Sequence, residues 1–184
     1  MLQKRFLASI SVTQPLSQPF SHAKVLILGA GTAGATIASQ LSLNPLFKGG
    51  KDISIVDPSS THYYQPLWTL VGGGVKKLSE SSRPTTDILP SKTQWIQDSA
   101  KKVDPARNVV TLGSGLQVSY DFLVVATGFQ LDWAKIPGLQ ESLGKNGVSS
   151  NYDVHSVEQT WENIKNFKGG NAIFTQPSTG IIII

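Results

Sequence analysis

Val25-Leu26-Ile27-Leu28 is an apolar run with no polar interruption, too short for a helix, and it predicts a strand from Lys24 to Leu28 buried on both faces. Ile53-Ser54-Ile55-Val56 and Phe122-Leu123-Val124-Val125-Ala126 repeat that pattern and predict two more buried strands. Between the first two runs, Ile37, Ala38 and Leu41 return at helical spacing. Gln94-Trp95-Ile96-Gln97 predicts a third parallel strand. Val109 to Leu112 and Leu116 to Tyr120 flank Gly113-Ser114-Gly115, the pattern of a β-hairpin. Val154, Val157, Trp161, Ile164 and Phe167 share one face of a helix over 153–167, and that stripe reads as core. Asn171 to Thr175 predicts a further strand. Strands alternating with helices make this an α/β chain with a parallel sheet.

The turn after the first strand carries the chemistry. Gly29-Ala30-Gly31-Thr32-Ala33-Gly34 is a G-x-G-x-x-G sequence between a strand and a helix, and the next strand ends in Asp57. Gly29 permits the sharp turn, Gly31 lets a pyrophosphate approach the backbone, and Gly34 lets helix and strand pack closely. The helix start offers free N–H groups and the positive end of its dipole to phosphates. Asp57 suits a ribose of the adenosine half and disfavours a 2′-phosphate, so NAD or FAD fits better than NADP. The fold predicted is a Rossmann-like βαβ domain with an inserted β-hairpin. Ala126-Thr127-Gly128 closes a later buried strand, where Gly128 lets the chain leave beside the flavin; that order is characteristic of two-domain flavoprotein reductases and favours FAD. Asp98-Ser99-Ala100 follows the third strand, where in this architecture a residue commonly touches the adenine through its backbone.

Composition narrows the picture. The 184 residues suit one domain, or one domain and part of another, and 40% hydrophobic content is that of a globular chain. The net charge of +4 comes from scattered residues, with no basic stripe interleaved with aromatics, so nucleic acid is not an expected partner. The sequence has no cysteine, which excludes disulfides, thiolate metal sites and cysteine catalysis within it. His22, His62 and His155 are far apart in sequence, and no metal site and no catalytic residue is predicted. No apolar run has the length of a membrane span. Residues 1–22 are basic and serine-containing, and the first acid of the chain is Asp52; this predicts a mitochondrial transit peptide. His62, Tyr63, Tyr64 and Trp68, directly beyond Asp57, either lie near the ligand or form a packed loop.

The residues from Asp57-Pro58 through His62-Tyr63-Tyr64-Gln65-Pro66-Leu67-Trp68-Thr69-Leu70-Val71-Gly72 closely resemble the eukaryotic mitochondrial sulfide:quinone oxidoreductase family. Arg83-Pro84-Thr85, Ser119-Tyr120-Asp121, Ser150-Asn151-Tyr152, Thr160-Trp161 and Gly170 to Thr175 extend the resemblance, which runs from Lys24 to Gly180. It implies FAD as cofactor, hydrogen sulfide and ubiquinone as partners, and association with the mitochondrial inner-membrane surface. It places FAD contacts on Thr32, Ala33, Gly34, Asp57, Gln65 and Ala100. In that family sulfide is oxidised through a cysteine pair lying beyond the segment matched here. The expected organisation is therefore a transit peptide at 1–22, an incomplete FAD-binding domain at 23–168, and at 169–184 the start of a second Rossmann-like domain, truncated at Ile181-Ile182-Ile183-Ile184. The competing expectations are an inactive FAD-binding fragment and a type II NADH:quinone oxidoreductase. The latter calls for a second G-x-G-x-x-G near residue 175, where Gln176-Pro177-Ser178-Thr179-Gly180 stands instead.

Overall fold

The structure is a computed structural model and describes residues 21–175. The predicted transit segment before Ser21, the sequence Gln176 to Gly180 and the four isoleucines lie outside the described residues. In chain order the elements are β1 (Ser21–Leu28), α1 (Thr32–Leu43), β2 (Ile53–Val56), β3 (Thr61–Tyr63), α2 (Trp68–Gly72), β4 (Ser82–Pro84), α3 (Thr85–Ile88), β5 (Thr93–Ile96), β6 (Ala100–Asp104), β7 (Val109–Leu112), β8 (Gln117–Val125), α4 (Leu139–Ser142) and α5 (Val157–Asn166).

β1 sits inside a six-stranded sheet of order β5-β2-β1-β8-β7-β6, and a small second sheet joins β3 to β4. β1 is parallel to β2 on one edge and to β8 on the other, and β5 is parallel to β2. β7 runs antiparallel to both β8 and β6. The unbroken apolar half of β1 explains its place, because both faces are covered. Leu26 and Leu28 pack with Val110, Leu112, Val118 and Tyr120, so residues of β7 and β8 cover one face. Val25 and Ile27 pack with Ala38, Ile53 and Ile55 under α1 on the other. A second core joins Trp68 and Val71 of α2 to Val157 of α5, with the Tyr63 ring edge-on to Trp68 at 5.8 Å. The indole N–H of Trp68 donates to Ser81 Oγ at 3.2 Å, which satisfies its one buried polar group.

Several expectations are corrected. β1 begins at Ser21, with Ser21 opposite Val118 and His22 opposite Ser119, so a transit boundary at 22 would cut the strand. The predicted hairpin is present as β7 and the start of β8, and β6 extends it into a three-stranded meander continuous with the main sheet. β6 escaped the sequence pattern because Ala100-Lys101-Lys102 is exposed and polar, as suits a sheet edge. The hairpin arm and the parallel strand after Asp121 form one strand: β8 pairs with β7 over 117–119 and with β1 along its length. Beyond Ser119 β1 is the one strand among the described residues that flanks it, and Phe122 (70% exposed) and Val125 (66%) are not buried. α5 starts at Val157 rather than 153, and its stripe is core only near that end: Val157 is fully buried, whereas Ile164 and Phe167 are exposed. Residues 171–175 form no strand, because none of the described strands pairs with them, and Ile173 and Phe174 are exposed.

Leu26 is fully buried between β1's neighbours and the meander. Leu26→Ala should lower unfolding free energy by about 2–5 kcal/mol, read as a lower urea midpoint with an unchanged slope. A shift under about 1 kcal/mol would contradict this packing.

Candidate functional site

Because β1, β2, β5 and β8 run parallel, their carboxyl ends meet at one edge of the sheet, where open α/β sheets form binding crevices. The chain leaves β1 through Gly29, whose φ of 99° belongs to a region that side chains avoid. Its N–H donates to the Val56 carbonyl at 2.8 Å. A Cβ on Gly29 would collide with the Ala126 carbonyl and lie 3.1 Å from the Thr127 Cα. The Ala126 N–H in turn donates to Leu28 at 2.8 Å. The two glycine-containing segments are thus backbone neighbours. Gly34 is equally constrained: a Cβ there would run into the Gly29 carbonyl, so α1 packs on the turn only because the position is bare.

Gly31 is different. It caps α1 with φ −67°, no side-chain cap bond, and no atom within 4 Å of the place a Cβ would occupy. The first turn of α1 carries no acidic residue, and Thr32 and Ala33 are exposed. The helix start therefore presents uncapped N–H groups and the positive dipole end to open space.

Asp57 follows β2 directly and is half-buried. One carboxylate oxygen accepts the Ala30 N–H at 2.7 Å, and the other accepts the Ser59 N–H at 2.7 Å. Each oxygen keeps a lone pair for a further donor. His62 on β3 reaches back to the same turn, its Nδ1 lying 3.2 Å from the Ala30 carbonyl. The intervening loop is held by α3: Thr85 Oγ1 donates to the Ser59 carbonyl at 2.8 Å, and the Thr85 N–H to the Ser60 carbonyl at 2.9 Å. Together Ala30, Gly31, Asp57, Ser59, Thr61, His62, Tyr63 and Thr85 line a crevice of about 160 Å³.

Asp57 and the glycine turn are therefore in contact, as the sequence predicts, and Thr32, Ala33 and Gly34 form the helix start beside them. Thr127 abuts Gly29, and Gly128 leaves the strand end with φ 68°. Gln65 opens a 3₁₀ turn over Gln65–Leu67 and Ala100 opens β6; neither lines the crevice. Of the aromatic stretch, His62 and Tyr63 line the crevice, Tyr63 also packs against Trp68, and Trp68 is core. Sequence reasoning missed Ser59, Thr61 and Thr85. Asp57-Pro58-Ser59 did carry a signal, since an Asp that accepts a hydrogen bond two residues on forms an Asx turn. Thr85 carried none, because its role depends on a contact across 26 residues.

This arrangement defines an α/β domain built to bind a dinucleotide at the carboxyl edge of a parallel sheet. The chain belongs to the pyridine nucleotide-disulphide oxidoreductase family, whose sequence model matches residues 23–167. It is 48% identical over 159 residues to the mitochondrial sulfide:quinone oxidoreductase of Dictyostelium discoideum, covering 86% of this chain and 35% of that protein. Against the mouse (Mus musculus) mitochondrial sulfide:quinone oxidoreductase it is 44% identical over 161 residues, covering 88% and 35%. Among solved structures it is similar to the sulfide:quinone oxidoreductase of Aquifex aeolicus, with a TM-score of 0.60 and 25% identity over 79% of this chain and 32% of that one. The chain thus spans about a third of the length of these curated relatives.

The two inner glycines should behave oppositely. Gly31→Ala should change unfolding free energy by less than about 1 kcal/mol, since its added methyl meets nothing. Gly34→Ala should cost more than about 2 kcal/mol, because the Gly29 backbone must move. Urea unfolding of the pair checks this, and equal losses would contradict the geometry.

Proposed function

We propose that this chain is the FAD-holding part of a mitochondrial sulfide:quinone oxidoreductase, with residues 23–168 as the cofactor domain. The observation that carries the cofactor assignment is the crevice where the Asp57 carboxylate meets the open, uncapped helix start at Gly31. A carboxylate with free lone pairs suits ribose hydroxyls, and a bare helix start with no nearby acid suits a diphosphate. In this reading Asp57 accepts from the ribose of the adenosine half, and the N–H groups at Gly31, Thr32 and Ala33 meet the pyrophosphate. Thr127 and Gly128, beside Gly29, line the path toward the flavin. Gln65 and Ala100 are assigned to the cofactor by resemblance alone, since neither reaches the crevice.

The reaction assignment, with hydrogen sulfide and ubiquinone as partners, rests on the 44–48% identity to the two mitochondrial sulfide:quinone oxidoreductases. FAD, when bound, supplies a two-electron carrier between the sulfide and the quinone. The residues of this chain bind and orient it. They do not supply a thiol, since the sequence has no cysteine, so any persulfide-forming step belongs to residues outside these 184. Mitochondrial residence follows from the same relatives. No helix among the described residues is long and apolar enough to cross a membrane, and contact with the inner-membrane surface is assigned to the longer protein by resemblance.

Titration calorimetry with ADP and FAD, together with the visible spectrum of the FAD-loaded chain, tests this reading. The chain should bind both ligands. Asp57→Asn and Gly31→Val should each weaken ADP by about tenfold or more, while Gly31→Val leaves the fold intact. A chain that folds but binds neither ligand would overturn the assignment. So would an Asp57→Asn variant with unaltered affinity.

A further inference from the structure

We propose that His62 is a positioning residue that sets the phosphate-binding turn for the diphosphate of a dinucleotide; this rests on the dinucleotide-site reading above. Ala30 is the only residue between the first two glycines, and it is gripped at both backbone polar groups. Asp57 accepts its N–H at 2.7 Å, and His62 Nδ1 lies 3.2 Å from its carbonyl. A carbonyl can only accept, so Nδ1 carries the proton and donates. This contact spans 32 residues in sequence and comes from β3, outside the βαβ unit.

The consequence lies one atom further on. No peptide among the described residues is cis, so the carbonyl of Ala30 and the N–H of Gly31 point in opposite directions across one rigid plane. Holding the carbonyl on His62 aims the Gly31 N–H away from the imidazole. Gly31 has glycine's backbone freedom and no side-chain cap, and among the described residues no other hydrogen bond holds that plane. Asp57 fixes the preceding peptide, and His62 fixes this one. The division of labour is specific: Asp57 serves the ribose as well as the turn, while His62, which also lines the crevice, holds the Ala30–Gly31 peptide and through it bears on the phosphates.

The test separates those two parts of the ligand. Wild-type chain, His62→Leu and His62→Gln are titrated with ADP and with adenosine. His62→Leu should weaken ADP about three- to tenfold, the loss of one hydrogen bond, and leave adenosine within about twofold. His62→Gln, which keeps a donor, should recover most of the ADP affinity. In the ligand-free chain the Gly31 amide resonance should move in His62→Leu and return in His62→Gln. Nitrogen-15 spectra of the wild-type imidazole should place the proton on Nδ1. Unchanged ADP affinity in His62→Leu, equal losses for ADP and adenosine, no rescue by Gln, or a proton on Nε2 would each overturn the proposal. Failure of wild-type chain to bind ADP would instead overturn the dinucleotide-site reading, leaving the Gly31 amide shift and the imidazole proton to decide whether His62 sets the turn.

Discussion

The constraint on which this molecule depends is the double parallel pairing of β1. With β2 on one edge and β8 on the other, three strand ends are delivered to one side of the sheet. Parallel pairing needs a crossover between strands, and α1 supplies the first one. The helix can reach its place only because Gly34 has no side chain to meet the Gly29 carbonyl. Close packing and site formation are therefore the same event. The bare glycine that lets α1 settle on the turn also brings its uncapped N–H groups to the strand ends.

Electrostatics completes what packing begins. The turn puts a helix start, with its partial positive charge, beside a carboxylate. Asp57 does not cap α1; it binds Ala30 ahead of the helix and Ser59 within its own loop. Its charge is thereby anchored next to the helix start without occupying it. Thr85, at the start of α3, and His62, on the small β3-β4 sheet, reinforce the arrangement from outside the βαβ unit. The crevice is thus built by three separate segments, at Ala30–Gly31, Asp57–Tyr63 and Thr85.

The same geometry places this chain within a larger scheme. The family match covers residues 23–167, and the similarity to sulfide:quinone oxidoreductases covers about a third of the relatives' length. Phe122 and Val125, exposed on the half of β8 flanked only by β1, show how incompletely the described residues cover the far side of the sheet.

Much of this was legible in the residues alone. Short apolar runs and one glycine motif identified β1, α1, β2, β5 and the strand end at Ala126, because those signals depend only on local period and on backbone freedom. Gly29, Gly31, Gly34 and Asp57 could be named for the same reason: turn, helix start and strand end lie close in sequence. The fold itself decided the rest. β6 is polar and becomes a strand only through β7, and β8 is one strand only because β1 runs beside all of it. The exposed end of α5 shows that an apolar stripe is core only where something packs on it. Thr85 and His62 joined the site through contacts spanning 26 and 32 residues, which no spacing along the chain encodes. Local period and backbone freedom are written in the sequence, whereas the partner of a strand edge or an imidazole exists only once distant segments have met.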